Sequence, residues 1–335
     1  MERPATSPLV DRSLLVTGSG TFANAFVRRA LQDGARRIVV YSRSELVQAQ
    51  MRAALPDSRL RFFLGDVRDR PRLVQAMNGV EIVAHGAALK RIDACEADVD
   101  EAIATNVTGT QNVAHAAILA GVERGVFLST DKAPLACTAY GMSKALAERA
   151  WIQSNAYAAG GPTQFSCTRY GNVLGSRGSV LDLWRRQFEA GEPLTITDER
   201  ATRFWMTIRQ AVDLVCVALE HMRGGEVFVP LAGSAPILDL ARAVVEQDGQ
   251  PYAPGHVCTG LRAGERLHET LISPDEARTT YRRGDVYVIE PQYETWGRPV
   301  AWDLTPPASD GFSYRSDTNP QRLSVAELKA LVAAC

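Results

Sequence analysis

Short apolar runs alternate with stretches of helical periodicity through the first half of the chain. Leu14-Leu15-Val16 within Ser13–Thr17 has the length and composition of a buried strand, and Ala25, Phe26, Val27, Ala30 and Leu31 then recur at helical spacing. Further strands are expected at Arg37–Tyr41, Arg61–Val67, Ile82–Ala88, Gly125–Leu128 and Thr163–Tyr170, with a long helix over Ala102–Ala120 and another running past Lys144 to about Ala158. Strand and helix in strict alternation require a parallel sheet covered on both faces, an α/β doubly wound arrangement. Beyond about residue 180 the alternation is lost. Ile208–His221 and Ile237–Gln247 read as helices and Gly224–Pro230 as a strand. The expected organisation is a sheet domain over 1–180, with later segments returning to it, and a smaller C-terminal lobe over 181–335. Thr305–Gly311 is linker-like.

Composition narrows the function classes. The chain has 335 residues, 46% hydrophobic and 22% charged, with a formal net charge of −1. That balance gives no electrostatic pull toward nucleic acid or an anionic membrane, so neither is an expected partner. Met1–Asp11 carries Pro4 and Pro8 and lacks the apolar centre of a signal peptide. No run reaches the ~18 apolar residues of a membrane span, and a cytoplasmic location is expected. Cys95, Cys137, Cys167, Cys216, Cys258 and Cys335 form no C-x-x-C pair and the five histidines are scattered, which suggests neither a disulfide framework nor a metal site.

The chemistry gathers at the ends of the expected strands. Gly18-Ser19-Gly20-Thr21-Phe22-Ala23 has G-x-G-x-x-A spacing between a strand and a helix, which suits a dinucleotide pyrophosphate at the helix N-terminus of a Rossmann fold. The second strand ends in Ser42-Arg43 where an acid would hold an unphosphorylated ribose, so NADP is expected, with NAD as the alternative. Asp66 follows the third strand where an adenine amino group could be met, and Gly86-Ala87-Ala88 leave room for a cofactor after the fourth. Asn106 is a polar residue on a helix that should pack against the sheet; it either reaches the site or bonds backbone in the core. Ser129–Lys144 (S-T-D-K-A-P-L-A-C-T-A-Y-G-M-S-K) follows the Gly125–Leu128 strand. Tyr140 and Lys144 share a helix face, and an ammonium beside a phenol would lower its pKa. Further on, the glycine-rich loop Arg169–Val180 would present backbone N–H groups and Asn172 to an anionic or nucleotide ligand.

Taken together and in order, these motifs resemble the extended short-chain dehydrogenase/reductases, and within them the UDP-N-acetylglucosamine 4,6-dehydratases that invert C5. The resemblance spans almost the whole chain. It rests on V-V-Y-S-R (Val39–Arg43), G-D-V-R-D (Gly65–Asp69), A-L-K (Ala88–Lys90), A-C-E (Ala94–Glu96), T-N-V-x-G-T-Q-N-V (Thr105–Val113) and S-T-D-K-A (Ser129–Ala133). It continues in Y-G-N-V-x-G-S-R-G-S-V (Tyr170–Val180), T-R-F-W (Thr202–Trp205), G-G-E-x-F-V-P (Gly224–Pro230), R-A-G-E-R-L-H-E (Arg262–Glu269) and S-D-T-N-P (Ser316–Pro320). Two departures stand out: the loop Thr17–Ala23 is one residue shorter than the family's usual T-G-G-T-G-S-F-G, and Pro134–Thr138 replaces its N-P-I-N.

The resemblance implies a lyase that regenerates NADP in every turnover. Tyr140, assisted by Lys144, would take the 4-hydroxyl proton as hydride leaves C4. Lys132 would remove the C5 proton while a protonated Asp131, beside Thr130, protonates the departing 6-hydroxyl. The product would be UDP-2-acetamido-2,6-dideoxy-β-L-arabino-hex-4-ulose, for bacterial polysaccharide biosynthesis. Implied cofactor contacts are Gly18, Ser19, Gly20, Thr21, Phe22, Ser42, Arg43, Asp66, Val67, Gly86, Ala87, Ala88, Lys90, Asn106, Ser129, Tyr140 and Lys144. Implied contacts to UDP-N-acetylglucosamine or a related UDP-sugar are Lys90, Thr105, Asn106, Asn172, Arg177, Ser179, Val180, Thr195, Arg203, Arg262 and Glu265. A homo-oligomer, hexamer or dimer, is also implied. The competing readings are a UDP-sugar 4-epimerase, a 5,6-dehydratase that stops at the ene, and a non-catalytic NADP-binding protein.

Overall fold

The computed structural model describes residues 7–176, 178–247, 255–293, 296–297 and 308–335. Six strands arise in the expected places: β1 (Ser13–Thr17), β2 (Arg37–Ser42), β3 (Leu60–Leu64), β4 (Ile82–His85), β5 (Arg124–Leu128) and β6 (Gln164–Thr168). The chain then forms β7 (Asn172–Val173), β8 (Leu194–Ile196) and β9 (Thr202–Met206), and returns to the sheet as β10 (Val227–Pro230). After β11 (Gly233–Pro236), β12 (His256–Cys258) and β13 (Thr270–Ile272), the strands β14 (Thr280–Arg283) and β15 (Val286–Ile289) complete it; β16 is Tyr314–Arg315.

The sheet order is β3-β2-β1-β4-β5-β6-β10-β15-β14. From β3 to β10 the strands are parallel, and β15 and β14 add an antiparallel edge. The central strands are buried on both faces, so they read as unbroken apolar runs. Successive residues nevertheless face opposite cores: Leu15 and Val39 join Val113, Trp151 and Phe165 on one side, while Leu14, Val16, Ile38 and Val40 join Phe26 and Leu214 on the other.

The helices are α1 (Thr21–Gln32), α2 (Glu45–Ala54), α3 (Arg70–Ala76), α4 (Ile92–Ala97), α5 (Val99–Ala102), α6 (Gly109–Ala120), α7 (Ala139–Tyr157), α8 (Val180–Glu189), α9 (Ile208–His221), α10 (Ile237–Gln247) and α11 (Val325–Ala333). The sequence predicts one helix over Ala102–Ala120, but a π-helical turn at Ile103–Thr108 divides α5 from α6. A third, smaller core gathers Leu181, Trp184, Leu194, Ile196, Trp205, Leu240 and Leu328 from segments after β6. There β7 and β11 flank β9, and β12 pairs with β8. Of the expected linker, Thr305–Pro307 lies outside the described residues.

One buried ionic contact joins these parts. Arg169, just past β6, sends its guanidinium to Glu148 of α7 (2.6 Å) and Glu276 (2.9 Å), and also donates to the Leu271 carbonyl of β13 (2.9 Å). All three side chains are nearly withdrawn from solvent. Burial alone would raise the Glu276 pKa, but the Arg169 charge outweighs it and holds the carboxyl below its usual range. Removing the cation strands two buried carboxylates. Arg169→Met is expected to lower unfolding stability by roughly 3–5 kcal/mol in urea titration; a loss under about 1 kcal/mol, the range of surface pairs, would refute this role.

Candidate active site

The parallel strands deliver their loops to one edge, where β1 and β4, neighbours with connections on opposite faces, open a crevice. Gly18 leaves β1 at φ 91°, in the left-handed region open to glycine, and donates to the Tyr41 carbonyl (2.8 Å). Gly20 begins α1 without a side-chain cap, so the first N–H groups of that helix face the crevice. The Thr17 hydroxyl accepts from the amides of Gly86 and Ala87 (3.1 Å each), tying the shortened glycine loop to the turn after β4. Ser19, Thr21 and Phe22 lie in this turn, and Ala88 continues the facing one. The buried Ser129 hydroxyl has no partner.

At the far end of the crevice, Ser42 is buried against Gln48 and Arg43 is half-exposed. Asp66, followed by the buried Val67, binds Arg68 at 2.6 Å, and Glu101 binds Arg68 at 2.8 Å. Arg43 is held by the same two acids only at 3.7 Å. Burial would raise the Asp66 pKa, yet its hydrogen bonds from Arg68 lower it. Arg68 is a second guanidinium that the sequence reading passed over, although it stands inside the quoted G-D-V-R-D.

Thr138 caps α7, accepting from the Gly141 amide (3.1 Å), and the first turn of the helix carries Tyr140. A Cβ on Gly141 would lie 2.6 Å from the Lys132 carbonyl, so this glycine lets α7 press against the Asp131-Lys132 turn. Tyr140 lies close enough to Thr130 and to the Lys132 charge for both to lower its pKa. Thr130 donates to Asp131 Oδ1 (2.9 Å), which also takes the Lys132 ammonium (3.0 Å), and Lys132 Nζ meets Glu269 Oε1 at 2.9 Å. Threonine, aspartate, lysine and glutamate thus form one continuous run of polar contacts, with the Tyr140 phenol near its threonine end.

The protonation of that run follows from burial. Asp131 is 2% exposed and its pKa is raised by burial, against the opposing Lys132 charge. Lys132 is raised above its ordinary value: burial opposes its charge, but Asp131 and Glu269 outweigh it. Glu269 is lowered, because Lys132 and Arg203 outweigh its burial. Unliganded, Lys132 is therefore an ammonium with no lone pair for a proton.

Tyr140 differs from expectation. Burial pushes its phenol up to about 12, only partly offset by Thr130 and the Lys132 charge. Lys144 is not among the groups that shift it. Its Nζ donates to the Leu128 carbonyl (2.7 Å) and lies 3.8 Å from the Phe127 ring centre, and burial lowers its pKa to about 7. Beneath, neutral His85 bridges Thr17 (2.6 Å) and Thr110 (3.0 Å), with its pKa lowered to about 3 by burial and by Lys144.

A cleft of about 1080 Å³ opens from this run of contacts and is lined by Lys90, Lys132, Asn172, Ser179, Val180, Arg203, Arg262, Glu265 and Glu269, among others. Arg203 Nη2 pairs with Glu265 (2.9 Å), whose Oε1 also accepts from Thr197. The buried Asn172 Oδ1 and Ser179 hydroxyl have no partners. Three expected contacts fall outside the cleft. Thr105 is buried against Glu101, and Thr195 bonds Gln187. Asn106 is 1% exposed and gives its amide to the Leu89 backbone, both N–H (2.8 Å) and C=O (3.0 Å), and to Ser143. It shapes the loop that carries Lys90. Arg177 lies outside the described residues. Among the described residues one group offers three metal-ligating atoms: Glu199, His256 and Cys258, within 4.8 Å of one another and away from the cleft. His256 and Cys258 share a face of β12 by two-residue spacing, a proximity their scatter in sequence conceals.

The doubly wound sheet, the glycine turn and the tyrosine-lysine helix beside a wide cleft define an enzyme of the extended short-chain dehydrogenase/reductase type. The chain belongs to a family of polysaccharide biosynthesis proteins, whose match covers residues 14–291. It is 38% identical over 332 residues to a UDP-N-acetylglucosamine 4,6-dehydratase (inverting) of Campylobacter jejuni subsp. jejuni, strain 81-176, covering 96% of this chain and 97% of that one. It is 41% identical over 285 residues to a UDP-glucose 4-epimerase of Rickettsia prowazekii, covering 84% and 83%. Among solved structures, Pen from Bacillus thuringiensis superposes with a TM-score of 0.87 at 31% identity, covering 98% of this chain and 99% of that one. No helix among the described residues is long and apolar enough to cross a membrane.

Lys144 makes stability depend on pH. Folded, it loses its proton near pH 7, whereas in the unfolded chain it does so near its ordinary ~10.4. Between those values the unfolded state binds more protons, so stability rises with pH. The urea midpoint of the wild type is expected to rise relative to Lys144→Met between pH 7 and pH 9; a constant difference would refute the depressed pKa.

Proposed function

We propose that the chain is an NADP-dependent UDP-N-acetylglucosamine 4,6-dehydratase that inverts C5. The observation that carries this reading is the run of contacts Thr130–Asp131–Lys132–Glu269, with Lys132 and Glu269 lining the cleft and the Tyr140 phenol near Thr130, which suits a redox tyrosine beside an acid-base pair. The inverting relative from Campylobacter jejuni supports the substrate class.

The crevice fits a nicotinamide dinucleotide: the uncapped N-terminus of α1 and the left-handed Gly18 suit its pyrophosphate, and the unpartnered Ser129 hydroxyl is free to receive a hydrogen bond. When bound, a nicotinamide would supply a reversible hydride acceptor for the sugar. Arg43, the loosely held guanidinium of the Arg43–Arg68 pair, turns to a 2′-phosphate, which favours NADP over NAD. Ser42, Asp66 and Val67 line the adenosine end, and Gly86 to Ala88 the nicotinamide end.

Tyr140 removes the 4-hydroxyl proton as the 4-ketone forms, from a phenol that Thr130 and the Lys132 charge lower in part. The ketone acidifies C5–H. Lys132 takes that proton, and Asp131, whose pKa burial raises, gives a proton to the 6-oxygen, which leaves as water. The resulting 4-keto-5,6-ene is reduced at C6 and reprotonated at C5. Lys90, Asn172, Ser179, Val180, Arg203, Arg262 and Glu265 hold the UDP moiety, the guanidiniums suiting its diphosphate. In this reading residues 1–180 serve the cofactor and 181–335 mainly the nucleotide-sugar. The same reading takes the protein as cytoplasmic and as a homo-oligomer, dimer or hexamer; exposed Leu119, Met142, Leu146 and Tyr157 on α6 and α7 support association.

One observation favours a second reading. An ammonium at Lys132 suffices for a UDP-sugar 4-epimerase, which needs Tyr140 and Lys144 but no base at Lys132, and the Rickettsia prowazekii relative bears that name. Incubation with UDP-N-acetylglucosamine in D₂O, followed by NMR and mass spectrometry, separates the two. Water loss with deuterium at C5 is expected; a C4 epimer without water loss would sink the dehydratase. In a separate comparison, Arg43→Ala is expected to raise the Kd for NADP by about tenfold or more and leave that for NAD nearly unchanged, since a phosphate–guanidinium pair contributes about 1.5–3 kcal/mol. Equal loss for both cofactors would remove Arg43 from 2′-phosphate recognition.

A further inference from the structure

Lys132 is an ammonium in the unliganded site, and a base must first lose that proton. Two carboxylates touch it. Asp131 Oδ1 lies at 3.0 Å and Glu269 Oε1 at 2.9 Å. The first is the acid assigned to the leaving oxygen, so in that reading it already holds a proton. Glu269 has no assigned role, although it closes the R-A-G-E-R-L-H-E segment.

Its setting is built. Glu269 is 2% exposed, its backbone amide donates to the Ser316 hydroxyl oxygen (2.9 Å), and β13 begins at the next residue. Its second carboxylate oxygen is buried with no partner, while the side chain lines the cleft. Arg203 Nε stands 3.6 Å from Oε1. Asp131 and Lys132 face Glu269 from the turn after β5, Arg203 from β9, and Arg266 from its own segment. One short contact therefore joins Glu269 to Lys132, with a free acceptor atom behind it.

We propose that Glu269 is a positioning residue for elimination that takes the Lys132 proton, leaving Nζ as the free amine when C5–H becomes acidic. The inference rests on the dehydratase reading. In the step, an N–H bond of Lys132 breaks and an O–H bond forms on Glu269, and the electron pair stays on nitrogen. That pair then takes the C5 proton as the C6–O bond breaks and Asp131 protonates the leaving oxygen. Substrate binding drives the transfer, because covering the cleft withdraws water from an ion pair whose neutral form needs less solvation. Glu269 also holds Lys132 toward the cleft, a task that a neutral amide can share, so charge and position are separable.

The test uses the full chain loaded with NADP⁺ and UDP-N-acetylglucosamine in D₂O over a range of pH, comparing wild type, Glu269→Gln and Glu269→Asp. Glutamine keeps the shape and one acceptor but cannot carry the proton. In Glu269→Gln, transient NADP⁺ reduction and KM are expected to stay near wild type, while C5 deuteration and water loss fall at least about 100-fold; Glu269→Asp should recover part of that loss. If Glu269 merely keeps Lys132 charged, removing its anion lowers the ammonium pKa, and Glu269→Gln eliminates at the wild-type maximum with its pH profile moved to lower pH. That result would overturn the proposal. So would a fall in NADP⁺ reduction equal to the fall in water loss, which marks a structural role. A wild type that loses no water overturns the dehydratase reading and this inference with it, whereas equal water loss by wild type and Glu269→Gln overturns this inference alone.

Discussion

Arg169 is the contact on which the rest of the molecule turns. Its guanidinium sits at the end of β6 and binds Glu148 from the helix that bears Tyr140 and Lys144. The same group binds Glu276 and the Leu271 carbonyl, which belong to the segment running on from Glu269. The tyrosine helix and the glutamate end of the acid-base run thus hang from one buried cation. Such a contact is poor as a source of net stability, because desolvating three charges costs about as much as their attraction returns. Its value is geometric. A planar fork binding two carboxylates admits few relative placements of α7, β6 and β13, and apolar packing alone would not discriminate among them so sharply.

Much of the sheet domain was legible from the chain itself. The central parallel strands announce themselves as short apolar runs, since both of their faces are covered, and Ile208–His221 emerges with the bounds its periodicity implies. The smaller lobe was opaque for the opposite reason. β7 and β16 have two residues each, β8 and β12 three, too few for any period to register. Their pairing depends on tertiary contacts between segments dozens of residues apart, such as β12 with β8.

The site divided along similar lines. Residues clustered in one stretch, Thr130 through Lys144, could be read because the chain itself places them together. Glu269 and Arg68 escaped because a carboxylate or guanidinium gains meaning only from what stands opposite, and their partners Lys132 and Glu101 lie far away in sequence. Charge states escaped too. The spacing of Tyr140 and Lys144 implies an interacting pair, but the lysine finds the Leu128 carbonyl and Phe127 ring first. Pro134–Thr138, where the chain departs from its relatives, is gripped from the far segment: Arg266 donates to the carbonyls of Pro134 (2.9 Å) and Leu135, and Cys137 faces the Gly264 carbonyl. Leu135 takes a left-handed backbone there (φ 52°), a strain that this grip holds in place.

The π-helical turn between α5 and α6 carries a different kind of information. A π-turn holds one residue more than the α-turn it replaces, and here the surplus falls on the stretch that aims Asn106 at the Leu89 backbone. The loop bearing Lys90 is therefore set by the winding of a helix as well as by side-chain contact: the wider turn decides where Asn106 stands, and the cleft inherits that placement through the Leu89 backbone.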